Sequence, residues 1–330
     1  MKLLDCIAQS RAPLLVAQDN GAICRLTSAC DFSSAVEGCP LRWVLQDDLT
    51  RTCAEIAYSD GQQLSDCLDL LRVPAQRLWV EWADEPRRGR LWNASAESTP
   101  ADGSSYALRA GALIEADCAG RRGLMRTFWT DRARPDEPLV GALETHFDFE
   151  GSLLHAGKPA DMFEGYFGGV TAPSARPLDS VLTCVRYRFD PSWLKYYRRM
   201  QLSSAARDRI ARDSLATVAS DWPLLLALLL LLACPGELQM NPLSLQRLNA
   251  KRRGAGRPAL LEHVEVSAPV QSSAKISARA AVPGWRRGPR FHHVRGHLVR
   301  RGDALYWRAP HWRGHVRLGR IKSRTVLLHS

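Results

Sequence analysis

Residues 224–233 read LLLALLLLLA, ten consecutive apolar side chains with no polar face. A helix of that composition cannot rest on a surface, because every side of it would put leucine into water. It has to be enclosed by other elements or by lipid. Ten residues fall well short of the roughly 20 that a bilayer helix needs. Pro223 and Pro235 bracket the run, and Asp221 and Glu237 lie just outside it. The run therefore reads as a buried core helix, with Pro223 in its first turn and Gly236 near its end. No membrane partner is expected. A chain that buries such a helix needs layers on several sides, and 330 residues with 45% hydrophobic content supply two domains, or one with an appendage.

The net charge is +11, and its excess sits at one end. From residue 251 onward, 18 Lys and Arg stand against 3 acids, or +15, whereas the first 250 residues hold 27 basic and 31 acidic residues, or −4. Such segregation points to a docking face rather than diffuse stickiness. Residues 285–330 carry twelve Lys or Arg against one acid, Asp303, along with six of the nine histidines and three of the ten tryptophans. A merely solvating tail has no use for large aromatics, so this end is expected to meet a polyanion. The nine cysteines form no C-x-x-C pair, and MKLLDCIAQSRAPLLV is too short and broken for a secretory signal. Free, mostly buried thiols in a reducing cytoplasm are expected.

The fold class expected is α+β: a helical and antiparallel-sheet front domain followed by a small basic β-rich C-terminal module. Residues 1 to about 75 read as mostly helical, with Leu64, Cys67, Leu68 and Leu71 at helical spacing before Pro74. Alternation then takes over. Leu78, Val80 and Trp82 share one face, opposite Trp79 and Glu81; a turn is expected over 85–90; and strands are expected in YALRAGALIEADCAG, LMRTFWT and ETHFDFEG. In the last of these Thr145, Phe147 and Phe149 face in, while His146, Asp148 and Glu150 face out. Residues 75–150 thus predict an antiparallel sheet with one solvated face. Helix returns from Asp190, a plausible N-cap ahead of Pro191. The division expected is a target-recognition domain over 1–234, an irregular connection over 235–284 with a strand near 263–266 and a basic loop at 251–258, and the basic module over 285–330. That module reads as short strands with turns at Arg301-Gly302-Asp303 and near Gly314.

In the tail, a single strand over 293–299 would align His293, Arg295 and His297. Arginine offers a planar donor fork to phosphate, and Trp307 and Trp312 offer stacking platforms for bases. The candidate nucleic-acid-binding residues are Arg290, His292, His293, Arg295, His297, Arg300, Trp307, Arg308, Trp312, Arg313 and Arg317. The bland alternative has the tryptophans building a small core with the arginines as its solvated rim. His293 and His297 with Arg295 also form a candidate catalytic set for a metal-independent ribonuclease, as base, acid and charge stabiliser. A zinc site from His292, His293, His297, His311 and His315 is disfavoured by the surrounding arginines and the lack of cysteine, so no metal or other cofactor is expected. There is no phosphate loop and no nucleophile elbow, and Glu115 and Asp117 read as a solvated sheet face.

The Leu-rich helix ending LLLLLACPGE, the following NPLSLQRLNAKRRGAGRP and the terminal FHHVRGHLVRRGDALYWRAPHWRGHVRLG together resemble the type V anti-CRISPR proteins that act on biogenesis of the CRISPR effector, and their phage and prophage relatives. The family's terminal signature is an R-P-H-x-R-R-G-H-W run followed by an aromatic-rich strand. Arg290, His292, Arg295, Gly296 and His297 match it, Phe291 and Leu298 replace its proline and tryptophan, and Trp307 matches the aromatic strand. The resemblance covers about the last hundred residues; upstream only the order of elements agrees. It implies a phage-encoded inhibitor in the host cytoplasm whose front part holds a host protein segment, such as a nascent stretch of a type V effector. Its tail would contact mRNA or ribosome-associated RNA, lowering target production. An assembly surface within a phage particle or host complex is a third expectation.

Overall fold

The computed structural model describes residues 1–10, 18–19, 22–23, 31–59, 64, 66–86, 107–132, 135–150, 157–168, 184–219, 221–268, 290–294, 296–308, 311–313 and 315–320. The architecture is α+β. The helices among the described residues include α1 (Leu3–Gln9), α2 (Phe32–Glu37), α3 (Asp47–Ser59), α4 (Pro191–Arg199), α5 (Ser204–Ala219), α6 (Asp221–Ala233) and α7 (Gln246–Gly254). After a two-residue ladder of β1 (Gln18–Asp19) and β2 (Ala22–Ile23) come β3 (Leu41–Leu45), β4 (Arg77–Ala83), β5 (Ala107–Ala116), β6 (Arg122–Asp131), β7 (Leu139–Asp148), β8 (Phe167–Gly168), β9 (Val185–Phe189), β10 (Gln239–Leu243) and β11 (His263–Ser267). The tail adds β12 (Arg290–Val294), β13 (His297–Arg301), β14 (Ala304–Arg308), β15 (His311–Arg313) and β16 (His315–Arg320). Nine strands join in one sheet, in the order β10-β11-β3-β4-β5-β6-β7-β9-β8. Its β11–β3 and β3–β4 pairs are parallel and the others antiparallel.

One face of the sheet is the main core. Leu78, Val80 and Trp82 on β4 and Phe147 on β7 point into it, as their alternation predicts, and α3, α5 and α6 pack over them. Every residue of α6 from Asp221 to Leu231 is buried. Trp222 lies against Phe147 and Phe149, with ring centroids 5.3 and 6.0 Å away, α3 and α5 flank the helix, and β14 packs on it from the tail. Enclosure on all sides is the answer to a helix without a polar face. No described helix is long and apolar enough to cross a membrane. Asp190 caps α4 as expected, accepting from the Ser192 N–H at 2.8 Å.

The second face is covered only in part. Phe32 from α2 meets Phe128 edge-on at 5.2 Å, and Trp79 lies 5.6 Å from the same ring. Diagonally across from Trp79, a Cβ on Gly111 would come within 2.7 Å of the indole, so only glycine leaves room for the ring against β5. The buried Glu81 accepts the Leu3 and Leu4 N–H groups at 2.9 Å each, capping α1, and pairs with Arg109. The solvated face expected over 75–150 is thus corrected at β4, where Trp79 and Glu81 are fully buried. Farther along the sheet this face is only partly open: Glu144 is buried, Arg126 and His146 are half-buried, and Arg122 and Glu150 at its end are exposed.

Other differences from the sequence reading are local. Residues 1–75 include β3, whose Trp43, Val44 and Leu45 are buried. Five residues, LRWVL, are too short a stretch to carry a period that separates strand from helix. At the expected helix near Leu64–Leu71, Leu64 is helical and Leu68–Leu70 form a 3-10 turn. The stretch expected as an irregular connection carries β10, α7 and β11, and Val264–Val266 run parallel to Trp43–Leu45. The basic loop at 251–258 instead begins as the last turn of α7, with Gly256 at φ +68° beyond it. The turn expected at 85–90 lies outside the described residues from 87 onward.

Candidate nucleic-acid interface

The tail builds two small sheets: β13 with β14, and β15-β12-β16. The β13–β14 hairpin closes on Gly302 and Asp303, with Gly302 at φ +60° in the first central position. Glycine there is what a two-residue turn of the II′ kind demands. The register pairs His297 with Arg308, Leu298 with Trp307, Val299 with Tyr306, Arg300 with Leu305 and Arg301 with Ala304. Directly opposed residues share a face, so the hairpin has two different sides.

The inner side is apolar and docks on the body. Leu298 is 6% and Leu305 2% exposed, and Trp307 packs half-buried against the same core. Arg300 is also on this side. Its Nη1 and Nη2 donate to the two carboxylate oxygens of Asp69 at 2.7 Å each, Nη1 to the Asp66 carbonyl at 2.6 Å, and Nε to the Gly302 carbonyl at 3.0 Å. The Arg300 hydrogen bonds lower the Asp69 carboxyl and the partnership raises the guanidinium in return. Two calls change here. Arg300 is spent on the acidic front rather than offered to phosphate, and Trp307 is a wedge into the core rather than an open stacking platform.

The outer side carries His297, Val299, Arg301, Ala304, Tyr306 and Arg308. Arg301 and Arg308 are exposed, with no ion pair among the described residues, and Tyr306 stands between them 49% exposed. Alternate residues of a strand are about 7 Å apart, so Ala304, Tyr306 and Arg308 form a row in which Arg308 stands beside the ring, while Arg301, opposite Ala304, stands diagonal to it on the neighbouring strand. The sequence reading passed over Tyr306 and Arg301. Alternation from the Gly302-Asp303 turn sets Tyr306 and Trp307 on opposite faces, and that was the available signal.

In the other tail sheet His292 lies opposite Arg313, His293 opposite Trp312, and Val294 opposite His311. Arg313 and His311 are exposed and His292 half-buried. Arg290 and Arg317 hold places in β12 and β16. The side chains of Arg290, His293, Trp312 and Arg317 lie outside the described set, as does Arg295 altogether. The single strand over 293–299 is divided: β12 ends at Val294 and β13 begins at His297. The candidate catalytic pair therefore belongs to two sheets, with His293 beside Trp312 and His297 beside Arg308. Its alignment on one strand face, which motivated the ribonuclease reading, is absent.

Among the described residues no catalytic constellation presents itself elsewhere. The described residues hold no group of three metal-ligating side chains. Of the seven described cysteines only Cys118 is exposed. Burial raises the thiols of Cys6 and Cys39 to about 11 and of Cys184 and Cys234 to about 12, well away from a reactive thiolate. Comparison with family models, curated proteins and solved structures returns no match.

Proposed function

We propose that the chain is an RNA-binding inhibitor that lowers production of a host protein, its C-terminal module gripping RNA while the front body receives a segment of the target. The observation that carries the RNA half is the two-sided hairpin. One face is consumed in docking, so Arg301, Tyr306 and Arg308 form a fixed platform on the other, with Arg313 exposed on the neighbouring small sheet. Guanidiniums with no ion pair among the described residues, set around an exposed ring, suit single-stranded RNA, whose backbone takes the charge and whose bases stack. The resemblance to type V anti-CRISPR proteins supplies the rest: a phage or prophage origin, action in the host cytoplasm and a type V effector, met as a nascent segment, as the protein acted on.

The test is binding of a fluorescent single-stranded RNA by the full chain across a salt series. Each phosphate contact in a single strand contributes about 0.7 to the log–log salt slope. Replacing Arg301, Arg308 and Arg313 together by alanine should flatten that slope by roughly 2. Tyr306→Ala should weaken binding by about 1–3 kcal/mol with little change in slope. No retention of RNA at low salt, or a triple variant with the original slope, sinks the reading.

A further inference from the structure

The half of the second sheet face beyond α1 and α2 is crossed by a ladder of ion pairs. Arg77 Nε meets Glu115 at 3.4 Å, and Glu115 meets Arg126 at 3.2 Å. Arg126 pairs with Glu144 and lies 3.9 Å from Asp190, and Glu144 accepts from Arg188 Nε at 2.6 Å. The register makes this possible, since Arg77 opposes Glu115, Arg126 opposes Glu144, and Glu144 opposes Arg188.

Arg186 stands at the end of this ladder, two residues from Arg188 on the same face. Its guanidinium carbon lies 4.1 Å above the centroid of Tyr166, and His146 meets that ring edge-on at 5.2 Å. No carboxylate among the described residues pairs with Arg186, and its buried Nε has no hydrogen-bond partner. The ladder and its end thus contain four guanidiniums, Arg77, Arg126, Arg186 and Arg188, against three carboxylates, Glu115, Glu144 and Asp190. The surplus is one positive charge, and it falls on Arg186.

We propose that Arg186, held over the Tyr166 ring, binds one carboxylate through its donor fork. A planar monoanion matches both the single surplus charge and the guanidinium's geometry. A dianionic phosphate or an RNA backbone would bring further charge beside Glu144 and Asp148 on the same face. Glu144 does not yield by taking a proton: burial alone would raise its carboxyl, but His146, Arg126 and Arg188 hold it at about 2. The carboxylate belongs either to a small free acid or to a protein side chain or terminus. This site lies on the front body and is independent of the RNA platform.

The experiment is thermal unfolding of the full chain at constant ionic strength, chloride being replaced stepwise by acetate, by inorganic phosphate, or by tri-alanine with a free or an amidated C-terminus. Acetate should raise the Tm of the natural protein, because a ligand that binds only the folded state stabilises it. Arg186→Gln should abolish the rise, and Arg186→Lys, which keeps the charge but not the fork, should keep less than half of it. Should Arg186→Gln fail to fold, the lysine variant decides alone. A free-terminus peptide that acts at lower concentration than acetate, with its amide silent, supports a protein source; acetate acting at the lower concentration supports a small acid. An acetate response unchanged by either variant, or an Arg186-dependent response larger for phosphate, overturns the proposal. So does loss of RNA affinity in Arg186→Gln, whereas failure of the hairpin variants to affect RNA leaves this site untouched.

Discussion

Glu144 is almost fully buried, yet it remains an anion because three cationic or ionisable groups converge on it: Arg126, Arg188 and His146. Its carboxyl titrates at about 2 when folded, against 4.5 for an unperturbed glutamate. On acidification the unfolded chain therefore takes up the proton first. The contribution is complete above pH 4.5 and is lost as pH falls toward 2, and it amounts to roughly 3 kcal/mol. Asp5 works in the opposite sense: burial raises its carboxyl against the Leu261 N–H it accepts, so it gains as acid is added. Urea unfolding between pH 6 and pH 2.5 should show a falling limb that Glu144→Gln flattens. Glu81 is another buried carboxylate on this face. Glu81→Ala would strip two N–H groups of α1 and Arg109 of their acceptor at once, an expected loss of about 3–5 kcal/mol in urea unfolding at neutral pH. Alternation in the sequence already put Glu81 opposite Leu78, Val80 and Trp82, and His146 on the outward side of β7. It could not supply Arg126 and Arg188, because these partners depend on the register between strands.

The β13–β14 hairpin was readable as an element but not in its orientation. Arg301-Gly302-Asp303 announces the turn, and ALYWR announces a strand. Which of Tyr306 and Trp307 faces inward is decided by docking onto α6, a helix some 70 residues earlier in the chain, so no local pattern contains the answer. The same docking determines that Arg300 meets Asp69 while Arg301 does not. Burial of Leu305 is the most direct handle on this contact. Leu305→Ala should cost about 2–4 kcal/mol of local stability. If the hairpin opens as a unit, amide exchange across 297–308 should accelerate together while the strands of the main sheet keep their protection. Uniform acceleration of the sheet as well would mean that the hairpin and the body form one cooperative unit.

At the scale of the molecule, the charge asymmetry in the sequence does not coincide with a division of the fold. The basic end begins near residue 251, inside α7, yet β10 and β11 complete the main sheet beside β3. Local pattern identified a strand at 263–266, but its parallel pairing with Trp43–Leu45 joins segments more than 200 residues apart and leaves no trace in either one. This separates two ways of shortening the chain. Ending at 268 removes the hairpin and uncovers one side of α6, but leaves all nine strands paired. Ending at 234 removes β10 and β11, turns β3 into an edge and exposes Trp43, Val44 and Leu45. The first truncation should unfold cooperatively at reduced stability, keep the buried Cys53 and Cys184 slow to react with a thiol reagent, and lose RNA binding. The second should expose those thiols and lose cooperativity. A 1–234 fragment that kept Cys53 and Cys184 protected would mean that the front part folds without the strands that close its sheet, and that the boundary between body and tail lies where the charge changes sign.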